Sequence, residues 1–117
     1  MQKAILLAAF GLWGCGTSTD DRPHTLEYIT TTILAPSCGS VNCHSAQGKS
    51  NGYVLDTVAA ARESLRYMVT PGDAGASFLV AVMRGEGEPM PPSEIMPEAD
   101  IQLIEAWINE GAKGVTP

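Results

Sequence analysis

Large rings are scarce in this chain. Phe, Trp and Tyr make up 6% of its 117 residues, against 44% hydrophobic residues overall. A core with so few rings gains from a bulky apolar ligand at its centre. Histidine is scarcer still: His24 and His44 are the only two. That leaves no Ser/His/Asp triad and no acid–base pair that stands out. Lys and Arg number 7 and nowhere cluster, which excludes the phosphate-neutralising surface that nucleic-acid binding needs. Strand-period alternation is sparse, and no internal repeat is visible. What remains has ordinary hydrophobic content and enough length for one compact domain. The formal charge of −6 reads as a solvated acidic surface, with a basic partner as the kind it would attract.

The N-terminus reads Met1-Gln2-Lys3 and then runs apolar from Ala4 to Trp13. A charged head and a short apolar run form a secretory pattern, too short for a permanent membrane span. The run ends Leu12-Trp13-Gly14-Cys15, which resembles the bacterial lipobox. Trp13 departs from it, standing where a small residue is usual. Residues 1–14 are therefore expected to be a lipoprotein signal peptide, with Cys15 lipidated. An ordinary signal peptide with Cys15 as a bystander is the alternative. Residues 15–24 are small, polar and Pro-bounded, and read as a flexible tether. The domain is expected over 25–117. Export implies a periplasmic location with a lipid anchor in a membrane. Gly16 stands where Asp would mark inner-membrane retention, which favours the outer membrane.

Periodicity predicts four helices. The first covers about Leu26 to Leu34, with Leu26, Ile29 and Ile33 on one face and Thr25 able to cap it. Its β-branched run would suit a strand on propensity alone. The second covers about Val58 to Val69, before Pro71-Gly72. The third covers about Ser77 to Arg84. The fourth has Pro97 suited to its first position and Glu98 and Asp100 at its positive end; Ile101, Ile104, Trp107 and Ile108 form its stripe, and Gly111 terminates it. Two long irregular segments remain, Ala35 to Asp56 and Gly85 to Met96. Loops of that length in a small domain are usually functional. The fold class is all-α, three to four helices with long loops wrapped around a ligand.

The first long loop contains Cys38-Gly39-Ser40-Val41-Asn42-Cys43-His44. A cysteine pair with His directly after the second Cys is the attachment pattern of c-type haem. Each thiol adds to one haem vinyl group, and His44 is then carried beneath the porphyrin to reach the iron. Four residues separate the cysteines where two are usual, a minority spacing that requires the loop to bulge. With Cys15 assigned to the lipobox, no thiol is left over. Two other readings stay open. One is a Cys38–Cys43 disulfide in an oxidising compartment. The other is a zinc site, for which two thiols and one His are too few ligands.

A low-spin haem needs a second axial ligand, commonly Met. The second long loop holds Glu88-Pro89-Met90-Pro91-Pro92, and prolines on both sides of Met90 stiffen it. Met90 is the expected sixth ligand, with Met96 as its competitor. Met68 and Met83 fall on apolar helix faces and read as core filler. His24 would give bis-His ligation but reads as a solvated tether residue.

These residues together resemble the class I monohaem cytochrome c superfamily, in a subgroup of exported bacterial domains. The resemblance rests on Ile33-Leu34 before the Cys38-to-His44 motif, Leu55-Asp56 after it, Pro71-Gly72-Asp73, Met90-Pro91-Pro92, and Asp100-Ile101 through Ala112. It implies a class I cytochrome c fold in which the first and last helices cross, bringing Ile29 and Ile33 towards Ile104 and Trp107. It also implies one haem c, with iron, per chain, and His44 and Met90 as its axial ligands. The expected activity is one-electron transfer to redox partner proteins, by a monomer rather than an enzyme. Glu86, Glu88 and Glu94 flank the Met loop; they read as solvated, with steering of a basic partner as the second reading. The alternative is a haem-based sensor or small haem enzyme with a labile sixth ligand.

Overall fold

The computed structural model describes residues 20–115. The expected signal peptide and Cys15 lie outside the described residues. So does most of the expected tether. Its last five residues, 20–24, lie against the final helix of the domain. There Arg22 pairs with Asp20 and Asp100 and donates to the Ala99 carbonyl, while His24 Nδ1 lies 2.9 Å from a Glu110 carboxylate oxygen.

The architecture is all-α, with no strand among the described residues. Helix α1 runs over 26–38 as three consecutive pieces, Leu26–Ile29, a π turn Thr30–Leu34, and Ala35–Cys38. The Thr25 hydroxyl caps its start by accepting the Tyr28 N–H at 3.2 Å. The β-branched run is helical because Leu26, Ile29, Ile33 and Leu34 bury together, and tertiary burial outweighs local propensity. The helix also runs a turn further than its periodicity suggests. Pro36 lacks an N–H and its ring crowds the carbonyl four residues back; the wide turn just before it accommodates both. Cys38 therefore closes a helix rather than lying in an irregular loop.

Helix α2 spans Val58–Leu65, capped by the Thr57 hydroxyl on Ala60 N–H. It stops before the expected Val69 because the next residues are recruited elsewhere. The Met68 carbonyl accepts the Leu79 N–H at 2.9 Å, and Thr70 N–H donates to Ser77 Oγ at 2.9 Å. These bonds lead the chain into α3, Phe78–Met83. Helix α4 spans Glu98–Asn109, with Pro97 as its cap rather than its first residue. Its end is a Schellman turn: Gly111 N–H donates to the Ile108 carbonyl and Ala112 N–H to that of Trp107. Gly111 takes φ +111°, which only glycine tolerates well.

One core joins the four helices. α1 packs on α2, and α3 packs on α4. Ile29, Ile33, Ile104 and Trp107 are all buried in the same cluster. Trp107 is 1% exposed, and its Nε1–H donates to the Lys113 carbonyl at 3.2 Å, tying the tail over residues 112–115 onto α4. Arg84, at the end of α3, grips Glu98 and Glu105 of α4. The guanidinium hydrogen bond holds the Glu98 carboxyl below its usual range. No helix among the described residues is long and apolar enough to cross a membrane.

Candidate functional site

The two long loops face each other across a cleft made of two adjoining cavities. One has a volume of about 280 Å³ and the other about 240 Å³. Cys38, His44 and Met90 line both. Leu55, Met68, Leu79 and Val82 supply apolar wall in the first; Cys43, Pro91 and Pro92 line the second. A groove of this size and lining suits a large, mostly apolar ligand.

Each residue reaches the cleft for a local reason. Cys38 is delivered by the end of α1. Cys43 and His44 follow on a tight arc whose ends are bonded directly: His44 N–H donates to the Cys38 carbonyl at 2.9 Å. Cys43 N–H donates to the Ser40 carbonyl, also at 2.9 Å. The His44 carbonyl in turn accepts the Leu55 N–H at 2.6 Å. Met90 is held to α3 by its own N–H, which donates to the Val82 carbonyl at 3.0 Å. The Met90–Pro91 peptide bond is cis.

His44 is 9% exposed, and its Nδ1 lies 3.2 Å from the Tyr53 carbonyl. Only a protonated Nδ1 can donate there. That tautomer frees Nε2, the geometry in which metal-bound imidazoles are oriented by an outer hydrogen bond. Cys38 and Cys43 are both free thiols rather than a disulfide. Burial, with a smaller contribution from Cys43 nearby, pushes the Cys38 thiol up to about 11. Among the described residues, no three His, Cys, Asp or Glu side chains gather as a metal cluster, so the zinc reading has no ligand set.

The residues therefore fit a haem on the chemistry of the donor set. Two unpaired thiols, an imidazole with one nitrogen already engaged, and a thioether all border one apolar groove. The other sequence candidates lie elsewhere. Met96 is 4% exposed within the core and lines neither cavity. Met83 is likewise core. Met68 is buried and contributes wall. His24 is engaged with Glu110, at the end of α4. Glu86 and Glu88 border the first cavity, and Glu94 lines neither.

Residues 41–94 match the family model described as Planctomycete cytochrome C. That match supports a c-type cytochrome domain. The cofactor of such a domain is covalently bound haem c with its iron. The matched stretch contains Cys43, His44 and Met90 and begins after Cys38. No curated protein and no solved structure matches the chain.

Several residues that shape the cleft carry no motif signal. Tyr53 meets His44 through its backbone carbonyl, which any residue would supply, and also borders the first cavity. Asp56 Oδ2 accepts the Ala46 N–H at 2.9 Å, fastening the chain just past His44. Gly39 lies where a Cβ would stand 2.9 Å from both the Ala35 carbonyl oxygen and the Asp56 Cα. Leu55-Asp56 was legible as part of the family pattern, but not what it does.

Proposed function

We propose that the protein is a one-electron carrier holding a single haem, attached through Cys38 and Cys43 and ligated by His44 and Met90. The observation that carries this reading is the shared placement of Cys38, His44 and Met90 on both cavities of one apolar groove. When bound, the haem supplies the redox chemistry, its iron cycling between ferric and ferrous. The chain supplies the rest. Each thiol anchors one edge of the ring, Tyr53 fixes the His44 tautomer, and the walls from Leu55, Met68, Leu79 and Val82 exclude water. A thioether as second ligand raises the potential.

The N-terminal pattern supports placing the domain outside the cytoplasm, where c-type haem is attached. In this reading the mature protein is a periplasmic monomer, anchored through Cys15 to a membrane and serving redox partner proteins. The test is optical. Haem-loaded protein from an exporting host should be low-spin in both oxidation states and show a weak sulfur-to-iron band at the red edge of the ferric spectrum. Met90→Ala should abolish that band, while Met96→Ala keeps it. A high-spin spectrum of the parent protein overturns the carrier reading in favour of a sensor or haem enzyme with an open sixth site. Retention of free Cys15 in the exported protein, seen by mass spectrometry, overturns the anchor alone.

A further inference from the structure

The gap between the two cysteines is four residues. A longer arc has more ways to place its second thiol, so closing it costs more conformational entropy. Yet both thiols must meet one rigid ring. The arc in this chain is not free. Ser45 is 6% exposed and sits directly after the motif. Its hydroxyl donates to the Val41 carbonyl at 2.9 Å, inside the arc. The same oxygen accepts the N–H of Gln47 at 3.2 Å and of Gly48 at 3.0 Å. The chain thereby folds back so that Gly48 presses against the arc's backbone. A Cβ on Gly48 would stand 2.6 Å from the Cys43 carbonyl oxygen and 2.7 Å from that of Val41. No side chain fits there. The Cys43 carbonyl is held as well, by the Ser50 N–H at 3.1 Å.

We propose that Ser45 and Gly48 are the positioning residues for the second attachment, forming a clasp that holds the lengthened arc so that Cys43 is presented together with Cys38. This rests on the haem reading above. Cys38 needs no such clasp, because the end of α1 already places it. Each attachment adds one Sγ–H across a vinyl C=C. A C–S bond forms at one carbon, the thiol hydrogen ends on the other, the double bond becomes single, and no oxidant or reductant is consumed. Without the clasp, the first addition at Cys38 proceeds and the second lags.

The experiment compares haem-loaded Ser45→Ala, Ser45→Thr and Gly48→Ala with the parent, all matured in the same exporting host. Ser77→Ala is the control: Ser77 makes a similar set of backbone bonds, to Asp73, Thr70 and the Thr70 N–H, away from the arc. The pyridine haemochrome spectrum counts unsaturated vinyls, and alkylation with mass mapping finds the unreacted thiol. Ser45→Ala and Gly48→Ala should yield haem held by a single thioether in most loaded chains, with Cys43 as the free thiol. Ser45→Thr, which keeps the hydroxyl, should restore two thioethers. Ser77→Ala should keep two even if it melts earlier. Two thioethers in both Ser45→Ala and Gly48→Ala, or a free Cys38 in place of Cys43, overturns the clasp while leaving the cytochrome reading intact. A parent protein with no attached haem overturns that reading itself.

Discussion

Gly39 offers the sharpest test of how α1 is joined to the rest of the site. It follows Cys38, and its φ of −85° is open to any residue, so backbone conformation does not demand glycine there. Space does. An added Cβ would lie 2.9 Å from the Ala35 carbonyl oxygen and 2.9 Å from the Asp56 Cα, both backbone atoms with little room to yield. Ordinary contact begins near 3.4 Å, so the overlap is on both sides at once. Forcing an extra carbon into such a gap costs about 1–3 kcal/mol. For a domain of this size each kcal/mol is worth roughly 4–8 °C in Tm, so Gly39→Ala should melt on the order of 10 °C early. Gly75 is the matched control. It lies in the short helical turn Ala74–Ala76, and its added Cβ would meet nothing closer than an Asp73 carboxylate oxygen at 3.4 Å. Gly75→Ala should be neutral or raise stability by about 0.4–1 kcal/mol, through the unfolded chain. Thermal unfolding of the haem-loaded proteins, followed by far-UV circular dichroism, measures both. Equal Tm values for Gly39→Ala and the parent would refute the claim that segment 55–56 is seated against the end of α1.

Acid should loosen the ion pairs that bind the helices and the N-terminal segment. Hydrogen bonding to Arg22 lowers the Asp20 carboxyl to about 2, and Arg84 lowers Glu98. A depressed carboxylate contributes stability that is complete above its unfolded pKa and is lost as pH falls through the folded one. Tm should therefore fall between about pH 5 and pH 2, less steeply in Arg84→Gln and less steeply in high salt, since these groups are exposed; an Arg84→Gln acid profile parallel to the parent's would discount that pair. Trp107→Phe removes the Nε1–H bond to Lys113 and leaves a void in the core. The expected loss is about 2–4 kcal/mol by denaturant titration, with the red-edge sulfur band unchanged. Loss of that band in Trp107→Phe would place the indole in the haem environment instead.

What was legible from sequence follows a physical division. The helices were visible because apolar stripes recur at helical spacing, and the haem motif because two thiols and an imidazole in that order have few other uses. Met90 stood out because prolines frame it. The boundaries were less visible where distant partners set them. Nothing near Leu65 announces that the helix stops there; the Met68 carbonyl and the Leu79 N–H decide it across α3. The apolar stripe of the first helix ends at Leu34, yet a wide turn just before Pro36 lets the helix carry on to Cys38. The clasp was hidden for a different reason. Ser45 and Gly48 are common small residues, and their importance lies in what approaches them, which no local pattern encodes.

The anchoring of Arg22 and His24 on α4 has a geometric consequence. An unpinned chain from 20 to 24 would add five residues of extended length between the domain and whatever precedes it, at most about 18 Å. Pairing with Asp100 and Glu110, near opposite ends of one helix, removes that reach and fastens the chain at a corner beside α4. In the anchored reading proposed above, the pivot sits beside α4, and the groove bordered by Cys38, His44 and Met90 swings on a shorter radius. Because the Arg22–Asp100 pair is partly exposed, salt loosens the corner and lengthens the radius again.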